Sequence, residues 1–152
     1  MIELAKVSVL IATPVSVAFN YISNMENYKH WFPGVVDITS TNQLAHGDIG
    51  KKYVETLLLP SGAVDLEIEV NQCKPNHLFL TQGNLAGVLP QMTVTFLVVT
   101  DSSCKVTLEY HSRNSELTSS SDIVIALRED LDRRAKKGIT ELKTILESSS
   151  LL

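Results

Sequence analysis

The sequence predicts an α+β fold in which an antiparallel sheet of seven strands curves around one long C-terminal helix. The helix is predicted because residues 123–146 place apolar side chains at steps of three and four, one stripe along about six to seven helical turns. The sheet is predicted because runs of strand length, separated by turn residues, fill most of the chain upstream. The helix needs that sheet as the surface on which its stripe is buried. The stripe consists of Val124, Leu127, Leu131, Ala135, Ile139, Leu142 and Leu146.

The chain begins with one strand and two short helices. Residues 2–11 alternate apolar and polar side chains, the pattern of a half-buried strand. A helix then starts at Thr13 and Pro14, since a threonine hydroxyl can cap free N–H groups and proline suits the first helical position. A second short helix over residues 25–32 is expected to end at Pro33.

Regular turn chemistry divides the middle of the chain into six further strands, with no internal repeat. Residues 64–71 alternate most clearly, so the sheet has one dry and one wet face. On the same reasoning Glu109 and His111, a tempting acid–base pair, belong to the wet face. The predicted strands cover residues 35–41, 51–59, 64–73, 77–82, 92–100 and 105–112.

The length, charge and cysteine content of the chain exclude several classes of function. A chain of 152 residues suits one domain, residues 1–152, and buries roughly 70% of its unfolded surface. The net charge of −4 argues against a nucleic-acid partner. We find neither a signal peptide nor an apolar run that could span a membrane, and expect a cytosolic protein. Cys73 and Cys104 are isolated thiols, and the histidines show no metal-ligand spacing, so neither a metal nor a cofactor is predicted.

Several stretches in this order resemble the START-like (SRPBCC, Bet v 1-like) superfamily, specifically its bacterial polyketide cyclase/dehydrase and lipid-transport group. The resemblance rests on residues 7–14 (VSVLIATP), 17–19 (VAF), 28–35 (YKHWFPGV), 67–70 (EIEV) and 74–75 (KP), followed by the long terminal helix. It implies a helix-grip fold with an apolar cavity between sheet and helix. Members bind lipids, quinones or polyketides, and a minority are enzymes. The group shares no catalytic motif, so no catalytic residue is assigned.

The predicted cavity is aliphatic and aromatic, with a few hydroxyl groups. Such a lining selects an apolar molecule and orients it by one or two hydrogen bonds. Trp31 and Phe32 are either a plug beneath the short helices or one wall of the pocket. The predicted ligand-binding residues are Trp31, Phe32, Tyr53, Leu66, Ile68, Leu89, Met92, Val94, Phe96, Tyr110, Leu127, Leu131 and Ala135.

Three features of the sequence leave alternatives open. Residues 84–90 are too apolar for an idle loop, so they form a lid, complete the core or contact a second copy of the chain. Ala135 and Gly138 either let a strand approach the helix or leave space for a ligand. The basic cluster at Arg133, Arg134, Lys136 and Lys137 either grips an anionic group or simply solvates the helix.

Three functions follow from these observations. The leading one is a binding module for a small hydrophobic molecule. The second is an enzyme of the cyclase or dehydratase type in the same cavity, with Tyr53, Tyr110 or Gln72 polarising a carbonyl. The third is a protein-interaction module that uses residues 85–89, including as a homodimer contact.

Overall fold

A computed structural model describes residues 1–59 and 61–148. The predicted α+β fold is confirmed, and the predicted turn at Pro60 lies outside the described residues. The elements in these ranges are β1 (Ile2–Ile11), α1 (Val15–Ser23), a 3₁₀ turn (Met25–Asn27), α2 (Tyr28–Trp31), β2 (Val35–Ser40), β3 (Lys52–Leu59), β4 (Gly62–Lys74), β5 (Leu78–Asn84), β6 (Pro90–Thr100), β7 (Ser103–Ser112) and α3 (Asp122–Leu146).

The sheet is a seven-stranded antiparallel meander whose first strand joins its last, in the order β1-β7-β6-β5-β4-β3-β2. Val9 of β1 lies opposite Val106 of β7, and Tyr53 of β3 lies opposite Ile68 of β4. Opposed residues share a face, so these apolar pairs all contribute to the side of the sheet that α3 covers. The two edges, β1 and β2, remain apart.

The start of α1 differs from the prediction by one residue. Pro14 occupies the cap position instead of the first helical position, and its carbonyl accepts hydrogen bonds from the Val17 and Ala18 N–H groups at 3.0 and 3.2 Å. The Thr13 hydroxyl makes no cap; it is buried without a hydrogen-bond partner among the described residues. Residue type correctly located the helix, but backbone geometry decided which residue caps it.

Helix α3 is fastened along the edge strand β1. Arg128 Nε donates to the carbonyl oxygen of Glu3 at 3.0 Å, and Lys143 Nζ donates to that of Leu10 at 2.8 Å. Just past the helix, the Glu147 carboxylate accepts from the Ala12 N–H at 2.8 Å. These side chains use backbone groups that a free sheet edge would expose, so the helix also protects β1 from pairing with another chain.

The small residue at position 138 serves neither of the two roles considered for it. A Cβ atom there would lie 3.1 Å from the Trp31 carbonyl oxygen and 3.2 Å from Phe32 Cδ2. Gly138 therefore lets the end of α2 approach α3, rather than admitting a strand or a ligand. This approach fixes where the short helices cross the long one.

The two halves of α3 are buried differently. Ile139, Leu142 and Leu146 in the second half are fully packed in the core. In the first half Leu127 and Leu131 are only partly buried, whereas Val124 is fully buried. The helix is thus locked at its C-terminal end and stands over open space nearer its start.

The outer face of α3 carries paired charges of both signs. Arg133 and Arg134 contact Asp130 at 2.7 and 3.1 Å, and Lys136 contacts Asp132 at 2.8 Å. Arg133 and Lys136 are exposed, as the solvated-face interpretation of the basic cluster expects, whereas Arg134 is largely buried beside the cavity, so the role of the cluster stays a prediction. Over the described residues, no helix has the length and apolar character that crossing a membrane requires.

Truncating α3 at its two kinds of position should have unequal effects. Leu142→Ala removes a fully buried side chain and should cost about 2 to 5 kcal/mol of the free energy of unfolding. Leu131→Ala makes the same chemical change at a partly buried site that already borders open space, so its cost should be clearly smaller. Urea unfolding of the two variants beside the wild type measures both; equal losses would contradict the division of the helix.

Candidate functional site

A cavity of about 310 Å³ lies between the sheet and the first half of α3. This volume is at the lower end of the range of small-molecule pockets. Strands β3 to β7 form its floor, and α2 and α3 form its roof. It is lined by Met25, Tyr28, Phe32, Glu55, Leu57, Leu59, Leu66, Ile68, Thr81, Gly83, Leu85, Val88, Pro90, Met92, Tyr110, Ile123, Leu127, Asp130, Leu131 and Arg134.

The sequence-predicted pocket residues divide into two groups. Those that line the cavity are Phe32, Leu66, Ile68, Met92, Tyr110, Leu127 and Leu131. Those that lie outside its lining are Trp31, Tyr53, Leu89, Val94, Phe96 and Ala135. A role in holding a ligand stays a prediction for both groups.

Three of the outlying residues belong to the packed part of the core. Phe96 meets Phe19 of α1 edge to face, with ring centroids 5.3 Å apart, so the far end of β6 is closed by α1. Val94 and Ala135 are almost fully buried in the same core cluster. The dry face of the sheet is longer than the cavity, which is why alternation alone could not separate filled from open positions.

The other three outlying residues are diverted by local contacts. Trp31 packs edge to face on Tyr28 with centroids 5.0 Å apart, which is the plug interpretation rather than the wall. The Tyr53 hydroxyl makes a hydrogen bond with His46 Nδ1 at 2.6 Å. Leu89 adopts a left-handed backbone conformation with φ of 47°, and its carbonyl accepts from the Arg113 N–H at 2.9 Å.

Two tyrosines form the hydroxyl pair of the cavity. Tyr28 of α2 and Tyr110 of β7 share a short hydrogen bond between their hydroxyl groups, and the Tyr110 hydroxyl also lies 3.4 Å from Met92 Sδ. Burial raises the pKa of both phenols well above its usual value, so both remain neutral hydroxyls. Of the residues considered for polarising a carbonyl, Tyr110 reaches the cavity, while Gln72 is exposed beside a bulge in β4.

Glu55 is the functional candidate that the sequence analysis missed. It lies on β3, is only 6% exposed, and faces the cavity opposite Leu66 of β4. Among the described residues, none donates a hydrogen bond to its carboxyl group or forms an ion pair with it. Burial raises the pKa of Glu55 to about 7, although the positive charge of Arg134 acts to lower it. The signal was present in the alternation of β3, since an inward Tyr53 requires an inward Glu55 two residues later.

Arg134 closes the cavity on the α3 side while its charge is held by other partners. Its Nε lies 3.1 Å from Asp130 Oδ2, and its Nη2 donates to the Leu58 carbonyl oxygen at 3.4 Å. The guanidinium lies over Gly34, where a Cβ atom would be 2.5 Å from Nη1 and φ is 90°. The positive φ favours a glycine at position 34, and the absence of a side chain there leaves room for the guanidinium.

Residues 84–90 cover one side of the cavity. Leu85 and Val88 line the cavity, and hydrogen bonds from the end of β7 and the residues that follow it hold the loop. Asn114 Nδ2 donates to the Gly87 carbonyl at 2.8 Å, and the Ser112 hydroxyl donates to that of Val88. Leu85 and Val88 thus point to the cavity, whereas Leu89 does not line it. The homodimer contact that the sequence also allowed stays a prediction.

A second cluster of polar groups lies away from the cavity. Side-chain ligand atoms of Glu3, Glu109 and His111 all lie within 4.8 Å of one another. The sequence did not reveal this grouping because the residues lie on two paired strands, with Glu3 opposite His111. Glu109 already pairs with Lys6 at 3.5 Å, so the cluster is partly neutralised.

The raised pKa of Glu55 predicts a pH-dependent loss of stability. The pKa of Glu55 is about 7 in the folded protein, whereas its ordinary value of 4.5 applies to the unfolded chain. As pH rises, the unfolded chain therefore loses this proton at a lower pH than the folded protein does. Stability contributed by the protonated group is therefore complete below about pH 4.5 and is lost as pH rises through 7. The loss is on the order of 3 kcal/mol for a shift of this size.

Urea unfolding from pH 4.5 to 8 tests this expectation. The wild type and the matched control Glu67→Gln, a carboxylate whose side chain is 55% exposed on the outer face, should both show the decline. Glu55→Gln should lack it, because a neutral amide has no proton to lose. Parallel profiles for all three proteins would contradict the assignment.

Comparison with known proteins adds evidence on the fold. No family model matches the sequence, and no curated protein matches it either. Among solved structures, a START superfamily protein from Mycobacterium smegmatis is 11% identical over 95% of this chain and 97% of that one, with a TM-score of 0.74. The Zhui aromatase/cyclase from a Streptomyces species is 10% identical over 94% and 92%, with a TM-score of 0.70.

A third similar structure is the di-domain ARO/CYC protein BexL. It is 14% identical over 95% of this chain and has a TM-score of 0.73. The chain spans about half the length of such di-domain proteins, 46% of BexL. These similarities extend over nearly all of the chain. At such low sequence identities they are evidence of a common fold and of nothing more. Together with the sheet order and the long terminal helix, they show that this chain has the START-like helix-grip fold.

Proposed function

We propose that this protein binds one small, mostly apolar molecule in the cavity between its sheet and α3. The observation that carries the proposal is the composition of the lining: aliphatic and aromatic side chains surround about 310 Å³ of space with few polar groups among them. Burial of an apolar surface in such a space is favourable by roughly 25 cal/mol per Å². The polar groups would then fix the orientation of the ligand.

The structural neighbours are consistent with this proposal at the level of fold. One is described as a START superfamily protein and another as an aromatase/cyclase, and those descriptions belong to those proteins. What transfers is the expectation that this architecture places its site between sheet and helix. The identity of the ligand is left to experiment.

Filling the cavity should abolish ligand binding without unfolding the protein. Leu131→Trp puts a larger side chain on the half-buried, cavity-lining face of α3, where open space can accept it. The matched control Leu97→Trp makes the same change at a position that is 63% exposed. Native mass spectrometry of the proteins, purified without detergent, and thermal unfolding with a panel of fatty acids, quinones and aromatic polyketides measure the outcome.

The wild type and Leu97→Trp should carry or gain the same ligand, and Leu131→Trp should lose it. The expected thermal shift on binding follows from the ligand concentration relative to its dissociation constant, about 2.7 kcal/mol at a hundredfold excess. If the purified wild type carries no ligand, and neither this panel nor the naphthalene probes described below bind to it, the binding function is wrong. Equal binding by all three proteins would place the ligand elsewhere.

A second candidate is an enzyme of the cyclase or dehydratase type, which Glu55 and the tyrosine pair favour. A carboxyl group with a pKa of about 7 suits proton transfer at neutral pH. Its carboxylate would take a proton from the carbon next to a ligand carbonyl, becoming the acid, and the electron pair would move to the carbonyl oxygen as an enolate. A hydroxyl of the Tyr28–Tyr110 pair would donate a hydrogen bond to that oxygen.

Hydrogen exchange on a simple ketone tests this chemistry without a known substrate. With 4-phenyl-2-butanone in deuterated buffer, the wild type should speed deuterium uptake at the carbons beside the carbonyl, followed by NMR. Removing the base should cost about a hundredfold or more of that acceleration, which predicts near-background uptake for Glu55→Gln. Glu67→Gln should exchange as the wild type does. Background uptake with every protein would count against the enzyme and leave the binding function standing.

A further inference from the structure

The buried carboxyl group of Glu55 indicates what kind of molecule the cavity takes. We propose that the ligand is an apolar amine, bound as its ammonium ion with Glu55 as the counter-ion. This inference rests on the proposed binding function and specifies its ligand class. Its starting point is geometric: a carboxyl group more than nine-tenths buried faces a cavity and has no hydrogen-bond or ion-pair partner in the described part of the chain.

An unpaired carboxyl in this position is costly for the protein alone. Taking an ionised carboxylate out of water without a partner is so unfavourable that the group keeps its proton instead. A ligand ammonium would supply both the missing hydrogen bonds and the opposite charge. Hydrogen bonds between charged groups are about twice as strong as neutral ones, so the pairing discriminates sharply between ligands.

The other polar groups near Glu55 are already engaged. The hydroxyls of Tyr28 and Tyr110 bond to each other, with Met92 Sδ at 3.4 Å from the second. Arg134 is paired with Asp130 and donates to the Leu58 carbonyl. Within the described lining, Glu55 is therefore the charged side chain whose bonding a ligand would complete, and the Thr81 hydroxyl is a further neutral group that a ligand can reach.

The charge of the lining favours a cation over an anion. Its charged residues are Glu55, Asp130 and Arg134, and the last two cancel as an ion pair. What remains is Glu55, which becomes negatively charged when it gives up its proton to pair with a cation. The guanidinium of Arg134 also borders a groove outside the cavity, where it lies over Gly34 and its Nη2 donates to the Leu58 carbonyl oxygen.

Aromatic rings complete a surface that suits an ammonium ion. Tyr28 and Phe32 are stacked with centroids 5.1 Å apart, and Tyr110 lies 5.3 Å from Phe32. All three rings line the cavity. The electron-rich face of an aromatic ring attracts a cation, most strongly where water is excluded. The same rings pack well against the apolar body of the ligand.

Three ligands with one common body test the proposal. They are 2-(aminomethyl)naphthalene, 2-(hydroxymethyl)naphthalene and 2-methylnaphthalene, measured by titration calorimetry at pH 7.5. For the wild type the amine should bind about 10- to 100-fold more tightly than the alcohol, the range expected for a charge-assisted hydrogen bond. The hydrocarbon should bind no better than the alcohol.

The variant Glu55→Gln should lose the preference while keeping the cavity. Its affinity for the amine should fall to that for the alcohol, and its affinity for the alcohol should stay within about threefold of the wild type, which also shows that the variant is folded. Glu67→Gln, on the outer face, should behave as the wild type does. Amine binding should also release a proton from Glu55 below pH 7, because a nearby positive charge lowers the pKa of Glu55. The ammonium ion would act in the same direction as Arg134 does. Asp130 and the neutral Tyr28 and Tyr110 do not lower this pKa.

The outcomes separate this inference from the function beneath it. Equal binding of all three ligands, or tighter binding of 2-naphthylacetate than of the amine, would overturn the amine preference and leave the cavity as a binding site. If Glu55→Gln still binds the amine more tightly than the alcohol, a group other than Glu55 causes the preference, and the proposal is overturned as well. Failure of every probe, together with failure of the broader panel described above, would overturn both.

Discussion

The attachment of α3 to the edge of the sheet is the constraint on which the rest of the structure depends. Arg128 and Lys143 donate to the backbone carbonyls of β1 at positions 15 residues apart along the helix, so both ends of the helix are held to the same strand. Gly138 then admits the end of α2 against the helix between them. With the helix fixed along β1, the opposite part of the curved sheet, β3 to β5, cannot be filled by it. The cavity is the space that remains between this part of the sheet and the helix.

The open space persists because the side chains around it cannot collapse into it. Leu142 and Leu146 pack the second half of the helix into the core, which prevents the first half from moving down onto the sheet. The loop over residues 84–90 is held in place by hydrogen bonds from the segment after β7. An empty apolar space forfeits van der Waals contacts that a packed core would have. A ligand that restores those contacts would stabilise the protein in proportion to the surface it covers.

The sequence predicted the architecture because the architecture depends on periodicity. Alternation located the strands to within a few residues, and the apolar stripe located α3. It could not separate the filled from the open part of the dry face, so Val94 and Phe96 were predicted to line a pocket whose far end is closed by Phe19. Periodicity shows which face of a strand is buried. Whether the space over that face is filled by other side chains or left as a cavity depends on how elements distant in sequence pack together.

Glu55 was missed for a different reason, which is its residue type. A glutamate on a strand is normally a wet-face residue, and that expectation outweighed the alternation that places it beside Tyr53 and Leu57 on the inner face. A residue that breaks the local rule in this way is a candidate for a functional role. A protein that needed only a core would gain stability from a leucine at position 55. Its raised pKa predicts that the glutamate lowers stability at neutral pH, and its position is understandable if that free energy is recovered when a ligand binds.

One property of Glu55 links the two candidate activities. A carboxyl group with a pKa near neutrality can give up its proton to become a counter-ion, or take one from a carbon acid, and both require the same dry surroundings. The two activities differ in the functional group of the ligand that faces Glu55. A cation would hold Glu55 ionised and end the process at binding, whereas a carbonyl placed at the hydroxyls of Tyr28 and Tyr110 would let the proton move and make the bound state reactive. The chemistry of this cavity is therefore decided by the functional group that the ligand places opposite Glu55.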